Sequence, residues 1–198
     1  MTENGRPAYP LPGEIGEVLF TETEIEARVT ELGERIAGDF ADRTPLLIGV
    51  LKGSAIFVAD LVRAVTGPVE VDFLAVSSYG QATKSSGVVK ILKDLDSDIE
   101  GRSVVLVEDI IDSGLTMQFL VEHLTTRRPA DLRTCSLLVR ESATVDGFEL
   151  DYVGFRIPPA FVVGYGLDVA QRYRNLPYIA TYTGPGSGHG PEDALHDC

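Results

Sequence analysis

Cysteine is scarce in this chain, since its 198 residues include only two. Two cysteines exclude a disulfide-rich scaffold; Cys135 stands inside an apolar run, residues 132–139, and Cys198 is the last residue. We therefore expect reduced thiols in a cytoplasmic protein. Histidine is almost as rare. His189 and His196 have no cluster of possible metal ligands around them, so the sequence predicts a solvated tail there rather than a metal site.

Long apolar runs and basic residues are also lacking. No stretch reaches the roughly 18 apolar residues of a membrane-spanning helix, and residues 1–12 contain no apolar segment behind a basic start. We therefore expect neither a membrane span nor a secretory signal. Lysine and arginine together number 17 against 30 aspartates and glutamates, a net charge of −13. This charge repels nucleic-acid phosphates and anionic membranes, so neither is expected as a partner.

Several common catalytic signatures are missing as well. The sequence contains no GxxxxGKS or GxxxxGKT loop and no GxGxxG after a predicted strand. It also contains no GxSxG and no cysteine–histidine set with metal-ligand spacing. These absences argue against a P-loop nucleotidase, a dinucleotide-binding enzyme, a serine hydrolase of that type and a structural zinc site.

Two hydrophobic patterns alternate along the middle of the chain. Thr21 and Glu24 have the spacing of a capping box and are followed by apolar residues at helical intervals. Short continuous apolar runs predict buried strands, and stretches of helical spacing follow two of them. The predicted strands are residues 45–51, 69–76, 88–92, 103–107, 132–139, 152–155, 161–163 and 178–182, and the later helices are residues 54–65, with Ser54 as the cap, and 116–126.

Strands that alternate with helices predict an α/β domain with a mainly parallel sheet. We expect a single domain over residues 17–183, between a flexible N-terminal segment, residues 1–16, and a flexible C-terminal tail, residues 184–198. Ligands of such sheets bind outside the carboxyl ends of the strands. The residues that directly follow each strand are therefore the candidate site residues.

The strongest chemical signal is the segment 108–116, EDIIDSGLT, at the end of a predicted strand. Two adjacent carboxylates there need a counter-charge or hydroxyl partners, which Mg²⁺ or a sugar can supply. The following Ser-Gly-x-Thr turn opens a helix, and its amides and hydroxyls can hold one phosphate group. The alternative is an ordinary junction in which Asp112 or Ser113 only caps the helix.

Segment 108–116 resembles the phosphoribosyl-pyrophosphate (PRPP) motif of the type I phosphoribosyltransferases. The rest of the chain, from about residue 18 to 183, is similar to their hypoxanthine(-guanine) branch. Five further stretches carry that similarity: LKG at 51–53, SSYG at 77–80, the purine-binding stretches at 153–158 and 161–168, and RYRNL at 172–176. The resemblance implies a type I fold, in which helices flank a mainly parallel twisted sheet and the chain's ends form a small hood subdomain.

The resemblance also implies a reaction. A purine nitrogen attacks the anomeric carbon of PRPP, pyrophosphate leaves, and a nucleoside 5′-monophosphate forms. Mg²⁺ is the implied cofactor, PRPP and a 6-oxopurine are the implied ligands, and a homodimer or homotetramer is the implied assembly. A regulator that binds PRPP without turnover is the alternative from another class. Such regulators usually carry a DNA-binding domain or a basic face, which this acidic chain lacks.

Residue roles follow by position in the matching motifs. Asp112 is the implied general base at the purine N7, and the ribose and metal are assigned to its acidic neighbours. The full set of implied sites is Glu108, Asp109, Asp112, Ser113, Gly114, Leu115 and Thr116 for PRPP; Lys52, Gly53 and Arg174 for pyrophosphate; Arg140, Phe161, Val162 and Asp168 for the purine; Ser77, Ser78 and Tyr79 for a mobile loop; and Glu108, Asp109 and Asp168 for Mg²⁺.

Arg140 departs from the family, which usually has a lysine there that donates to the 6-oxo group of the purine. Arginine can still donate to that oxygen, but its guanidinium is planar and larger than the ammonium of lysine, so the difference from the family is not a conservative substitution. We expect a retained preference for 6-oxopurines. The alternatives are an enzyme specific for xanthine or a modified purine, and a surface pair between Arg140 and Glu141 that leaves the base to another donor.

Charge adds one more expectation. Residues 94–112 contain seven acidic side chains and one basic side chain, Arg102. Such a segment opposes a pyrophosphate-bearing ligand unless amides, Lys52, Arg174 and Mg²⁺ hold the phosphates. The sequence therefore predicts that PRPP binding requires the metal.

Overall fold

The computed structural model describes residues 14–79, 88–143 and 147–185. In chain order the elements are β1 (Ile15–Phe20), α1 (Glu22–Asp39), β2 (Leu46–Leu51), α2 (Ala55–Ala64), β3 (Glu70–Tyr79), β4 (Val88–Lys93), β5 (Ser103–Ile111), α3 (Leu115–Thr125), β6 (Asp131–Arg140), β7 (Tyr152–Ile157), β8 (Val162–Val163) and β9 (Ile179–Tyr182).

Six strands form the larger sheet, in the order β4-β3-β2-β5-β6-β7. Only β4 runs antiparallel to its neighbour; the other pairs are parallel. The central strands β2 and β5 are buried along most of their length because both faces are covered, which explains their continuous apolar sequences. The predicted α/β class with a mainly parallel sheet is confirmed.

The strand order reverses between β2 and β5. From β2 the chain passes through α2 to β3 on one side, whereas from β5 it passes through α3 to β6 and then β7 on the other. The connections therefore leave in opposite directions and open a crevice beyond the carboxyl ends of β2 and β5, where ligands of such sheets bind.

The two ends of the described chain form a second, smaller sheet, in the order β1-β9-β8, with antiparallel pairs. The chain divides into two compact units, one of residues 26–159 and one of residues up to 25 together with those from 160. The small unit agrees with the hood subdomain that the resemblance implies. Its strand β1 begins at Ile15 and so includes two residues of the predicted flexible segment 1–16. Residues 1–13 and 186–198 lie outside the described ranges.

Of the predicted strands, β5 and β3 continue furthest beyond their predicted ends. β5 does not stop at residue 107 but pairs with β6 as far as Ile111. β3 continues to Tyr79, paired with β4, so Ser77, Ser78 and Tyr79 lie in a strand and not in the loop to which they were assigned. Backbone pairing sustains both extensions, and polar side chains do not interrupt it. Residues 80–87 are not described, and the mobility of that loop stays a prediction.

The predicted helix caps have mixed outcomes. The capping box is confirmed: Thr21 N donates to Glu24 Oε2 at 2.8 Å, and Glu24 N donates to Thr21 Oγ1 at 3.3 Å. The Thr21 amide and hydroxyl both donate to the Glu24 carboxylate, and these two hydrogen bonds lower the pKa of Glu24. Ser54 precedes α2, but its hydroxyl donates back to the Val50 carbonyl at 2.6 Å instead of capping the helix. Gly114, in the left-handed region at φ 86°, is the N-cap of α3, so the alternative interpretation, in which Asp112 or Ser113 caps this helix, does not hold.

Cys135 is a buried free thiol in β6, and burial raises its pKa far above the usual range. It is therefore unreactive in the folded protein. None of the helices in the described ranges combines the length and apolar character needed to cross a membrane.

Candidate active site

A cavity of about 230 Å³ opens at the reversal of strand order in the larger unit. The ends of β2 and β5 and the turn into α3 supply its walls. The residues that line it are Val50, Leu51, Gly53, Val76, Glu108, Asp109, Ile110, Ile111, Asp112, Ser113, Gly114, Thr116 and Met117. The cavity thus brings together the carboxylates, the Ser-Gly-x-Thr turn and the glycine after β2, which lie far apart in the sequence.

Glu108 is the most deeply buried carboxylate of the cavity, with 7% of its surface exposed. Burial raises its pKa well above the usual range, and the negative charge of Asp109 raises it further. Burial and a neighbouring negative charge both disfavour the ionised form of a carboxyl group, and a bound cation would offset both effects. These two side chains therefore present oxygen ligands that favour a cation.

The carboxylate pair fits Mg²⁺, which usually binds to one or two carboxylates together with water and ligand phosphates. No group of three or more aspartate, glutamate, histidine or cysteine side chains is arranged for a metal in residues 14–79, 88–143 or 147–185. A site of two carboxylates completed by ligand oxygens requires no such group. Glu108 and Asp109 are thus suitable magnesium ligands by burial, charge and donor type.

The backbone after β2 approaches the carboxylate of Asp109 closely. The Leu51–Lys52 peptide bond is cis. A Cβ added to Gly53 would overlap Asp109 Oδ2 and lie 2.6 Å from its Cγ. Glycine is therefore required at residue 53 for the present position of Asp109, while the Lys52 side chain is exposed to solvent.

The turn from β5 into α3 has the geometry of an anion site. Gly114 adopts φ 86° and its carbonyl accepts the Gln118 amide at 2.9 Å, which begins the helix. The amides of the first helical turn have no partner within the helix, and the helix dipole adds a partial positive charge there. Ser113 and Thr116 add hydroxyl groups on the cavity wall.

Asp112 and Arg140 form an ion pair between Oδ1 and Nε at the carboxyl ends of β5 and β6. Arg140 also donates from Nη1 to the Pro158 carbonyl at 3.5 Å. The alternative from the sequence had paired Arg140 with Glu141, whereas this ion pair is made with Asp112. Arg140 is turned toward the predicted general base.

The smaller unit holds the other predicted site residues. Arg174 pairs with Asp168 at 2.6 Å and donates to the Gly166 carbonyl at 2.6 Å. Phe161 is 36% exposed, an unusual state for a phenylalanine and one that suits stacking on a ligand. Val162 is buried in β8.

Comparison with known proteins identifies the family. A family model of the phosphoribosyl transferase domain matches residues 17–170. The hypoxanthine-guanine phosphoribosyltransferase of Mycobacterium tuberculosis is 52% identical over 183 residues, which cover 89% of this chain and 91% of that protein. The chain belongs to the hypoxanthine-guanine phosphoribosyltransferase family.

Further relatives agree. The protein of the same name from Bacillus subtilis is 51% identical over 166 residues, which cover 84% of this chain and 92% of that protein. A crystal structure of a hypoxanthine-guanine phosphoribosyltransferase from Bacillus anthracis matches with a TM-score of 0.81 at 46% identity and covers 85% of this chain and 99% of that one. The predicted type I phosphoribosyltransferase fold and the assignment to a family of transferases are confirmed.

Several contacts at the site were not predicted for this member of the family. Gln171 donates its amide to Asp168 Oδ2 at 2.7 Å, and its side chain accepts from Arg174 at 3.3 Å. The spacing of an aspartate three residues before a glutamine, in a turn, is a weak signal for the first of these bonds. Val76 and Met117 form an apolar part of the cavity wall. The hydrophobic pattern around each of them in the sequence predicts a core residue and gives no sign of a place in the cavity.

Replacing Glu108 by glutamine is expected to stabilise the metal-free fold at neutral pH. The folded pKa of Glu108 is raised, so its contribution to stability is complete below the unfolded pKa and is lost as the pH rises through the folded pKa. Glutamine removes this loss. In EDTA the melting temperature of the variant should exceed that of the wild type at pH 8, by about 2–4 °C for each kcal/mol relieved. The gain should shrink toward pH 4; an equal gain at both pH values would contradict the explanation.

Proposed function

We propose that the protein transfers the 5-phosphoribosyl group of PRPP to hypoxanthine, and to guanine, and so forms IMP or GMP and pyrophosphate in purine salvage. One observation carries the proposal: a single cavity at the switch point of the sheet is lined by Glu108, Asp109 and Asp112 and by Ser113, Gly114 and Thr116 of the turn. Acidic groups face the ribose, and helix amides face a phosphate. Family membership supports the same reaction.

The chemistry follows from charge. As the bond to pyrophosphate breaks, the ribose carbon becomes positively charged, and the carboxylates of Glu108 and Asp109 stabilise that charge in the transition state. Asp112 accepts the proton that the purine loses at its imidazole ring. The amides and hydroxyls of Ser113, Gly114, Leu115 and Thr116 hold the 5′-phosphate.

The leaving group and the base are assigned to other residues. The backbone of Lys52 and Gly53 and the guanidinium of Arg174 bind pyrophosphate. Phe161 stacks on the purine, the Val162 backbone meets its edge, and Arg140 donates to the 6-oxo group. Ser77, Ser78 and Tyr79, at the end of β3, lead into the segment that would exclude water from the reacting centre.

Magnesium is the proposed cofactor: Glu108 and Asp109 would hold one ion beside the ribose, and Asp168 would bind a second ion through water. When bound, it neutralises part of the charge of PRPP beside these carboxylates. Ion pairs already formed with arginines, such as Asp168 with Arg174, would exchange partners on binding.

Removing divalent metal is expected to abolish tight PRPP binding, because the buried Glu108 and its neighbour Asp109, which line the cavity, repel an uncompensated pyrophosphate. Isothermal titration calorimetry with PRPP in Mg²⁺ and in EDTA measures this difference in affinity. We expect binding in EDTA to be at least about 100-fold weaker, because loss of the counter-charge beside a buried carboxylate pair costs about 3 kcal/mol or more. Sodium chloride at matched ionic strength controls for screening. Equal affinity in both buffers would contradict the assignment.

The reaction itself is tested by chromatography of PRPP, Mg²⁺ and one purine with the purified protein. Hypoxanthine, guanine, xanthine and adenine are compared singly and in competition. IMP and GMP are the expected products, and adenine should give none because it lacks the 6-oxo group. Turnover with xanthine alone would favour the xanthine-specific alternative, and PRPP binding without any product would favour the regulator.

The assembly and location implied by the resemblance remain proposals. We propose a homodimer or homotetramer, which sedimentation velocity distinguishes from a monomer. The cytoplasmic location is proposed from the buried reduced Cys135 and is tested by fractionation of the source cells.

A further inference from the structure

Arg140 joins the carboxyl ends of three neighbouring strands. It is the last residue of β6, which lies between β5 and β7 in the sheet. Asp112 is the first residue after β5, and Pro158 the first after β7. Arg140 Nε pairs with Asp112 Oδ1, and Nη1 donates to the Pro158 carbonyl at 3.5 Å. One guanidinium thus contacts both neighbouring strand ends.

The two partners of the ion pair differ in exposure. The Arg140 side chain is 15% exposed, and the Asp112 side chain is 63% exposed. The shielded guanidinium, with its second contact to Pro158, is the anchored member. The exposed carboxylate is the member that can meet a ligand in the cavity that Asp112 lines.

We infer that Arg140 is a positioning residue for Asp112: its Nε holds one carboxylate oxygen and turns the other toward the proton of the purine. This inference rests on the proposed function. An aspartate just past the end of a strand has two rotatable side-chain bonds, and one bonded oxygen restricts both. The guanidinium has five N–H donors, so the contact with Asp112 is compatible with donation from a terminal nitrogen to the 6-oxo group.

Two substitutions of Arg140 separate its two roles, which are to hold Asp112 through Nε and to donate to the 6-oxo group from a terminal nitrogen. In lysine a methylene stands where arginine has Nε, and the charged nitrogen lies one bond beyond it. Arg140→Lys therefore keeps a cation near the base but removes the donor to Asp112. In glutamine the amide nitrogen stands at the place of Nε, so Arg140→Gln keeps a donor for Asp112 and removes the terminal nitrogens.

The test compares single-turnover rate constants and KM for the base with two substrates, hypoxanthine and 8-azahypoxanthine. Both have the 6-oxo group, but the extra nitrogen makes the five-membered ring of the second more acidic, so it depends less on a general base. Arg140→Lys should slow the reaction of hypoxanthine about tenfold, as expected for one lost hydrogen bond to a charged group. The same variant should slow the reaction of 8-azahypoxanthine by less than about threefold.

Arg140→Gln should raise KM for both bases about tenfold and keep the rate constant for hypoxanthine within about threefold of wild type.

Two controls complete the experiment. Glu141→Gln changes the exposed neighbour of Arg140, outside the proposed machinery, and should alter neither constant. In an Asp112→Asn background, Arg140→Lys should slow the reaction by less than about twofold, because the two residues act as one unit.

Different outcomes separate the two proposals. If the wild type forms no IMP, the proposed function is overturned. If the wild type turns over but Arg140→Lys reacts at the wild-type rate, or slows equally with both bases, the positioning role is overturned. A loss of rate in Arg140→Gln as large as that of Asp112→Asn would also overturn it, and this second variant decides the matter even if the lysine variant does not fold.

Discussion

Replacing Asp112 by asparagine is expected to lower kcat for IMP formation by about 10²–10⁴-fold, the usual contribution of a general base. Asparagine has nearly the same shape, so the turn into α3 and its phosphate site should persist, but it cannot take a proton from the purine. The ion pair with Arg140 is lost as well. PRPP affinity should change by less than about threefold, because the 5′-phosphate is assigned to the amides of residues 113–116.

Steady-state rates and calorimetric PRPP affinities measure these two quantities separately. Asp42→Asn is the matched control, since Asp42 is an exposed aspartate that precedes β2 at the opposite end of that strand from the cavity. It should leave both constants unchanged. A loss of activity in Asp112→Asn that equals its loss of PRPP affinity would show that Asp112 acts in binding and not in proton transfer.

Gly53→Ala is expected to lower kcat/KM about 100-fold without unfolding the protein. The added Cβ would overlap Asp109 Oδ2, so the carboxylate or the backbone after β2 must move by more than 1 Å. A displacement of about 1 Å in a catalytic site can lower the rate about 10²-fold. Both consequences act on the site: Asp109 leaves its position beside Glu108, and the loop assigned to pyrophosphate shifts.

The matched control is Gly38→Ala in α1, where an added Cβ meets nothing within 4 Å. Alanine there should leave activity unchanged and raise stability by about 0.5–1 kcal/mol through helix propensity. Both variants are compared by kinetics and thermal denaturation. Wild-type activity in Gly53→Ala would contradict the close approach of Gly53 and Asp109.

The acidic composition has a structural explanation at this site. Several of its acidic side chains are already paired, as Asp112 is with Arg140 and Asp168 with Arg174. Glu108 is buried beside the negative charge of Asp109, and both effects raise the pKa of Glu108. A cation beside Glu108 would offset both effects, which agrees with the proposal that this carboxylate holds Mg²⁺.

Much of the fold was predictable from local pattern. The capping box of Thr21 and Glu24, the buried strands and the site segment 108–116 all follow from spacing and composition. The ends of β3 and β5 were not predictable in this way. The unpredicted part of each strand begins with a polar or acidic residue, Ser77 in β3 and Glu108 in β5, and these residues stay in the sheet because they pair with Lys90 and Ser136. Side-chain polarity carries no information about a partner strand.

By itself the sequence determined the α/β class, the family and the kinds of side chain available for chemistry, because hydrophobic period and short motifs are local properties of the chain. Only the tertiary structure decided which of those side chains meet. It placed Gly53 against Asp109 and turned Arg140 toward Asp112 instead of its neighbour Glu141. The order of strands in the sheet sets these distances. That order depends on contacts between residues far apart in the chain, which no local pattern encodes.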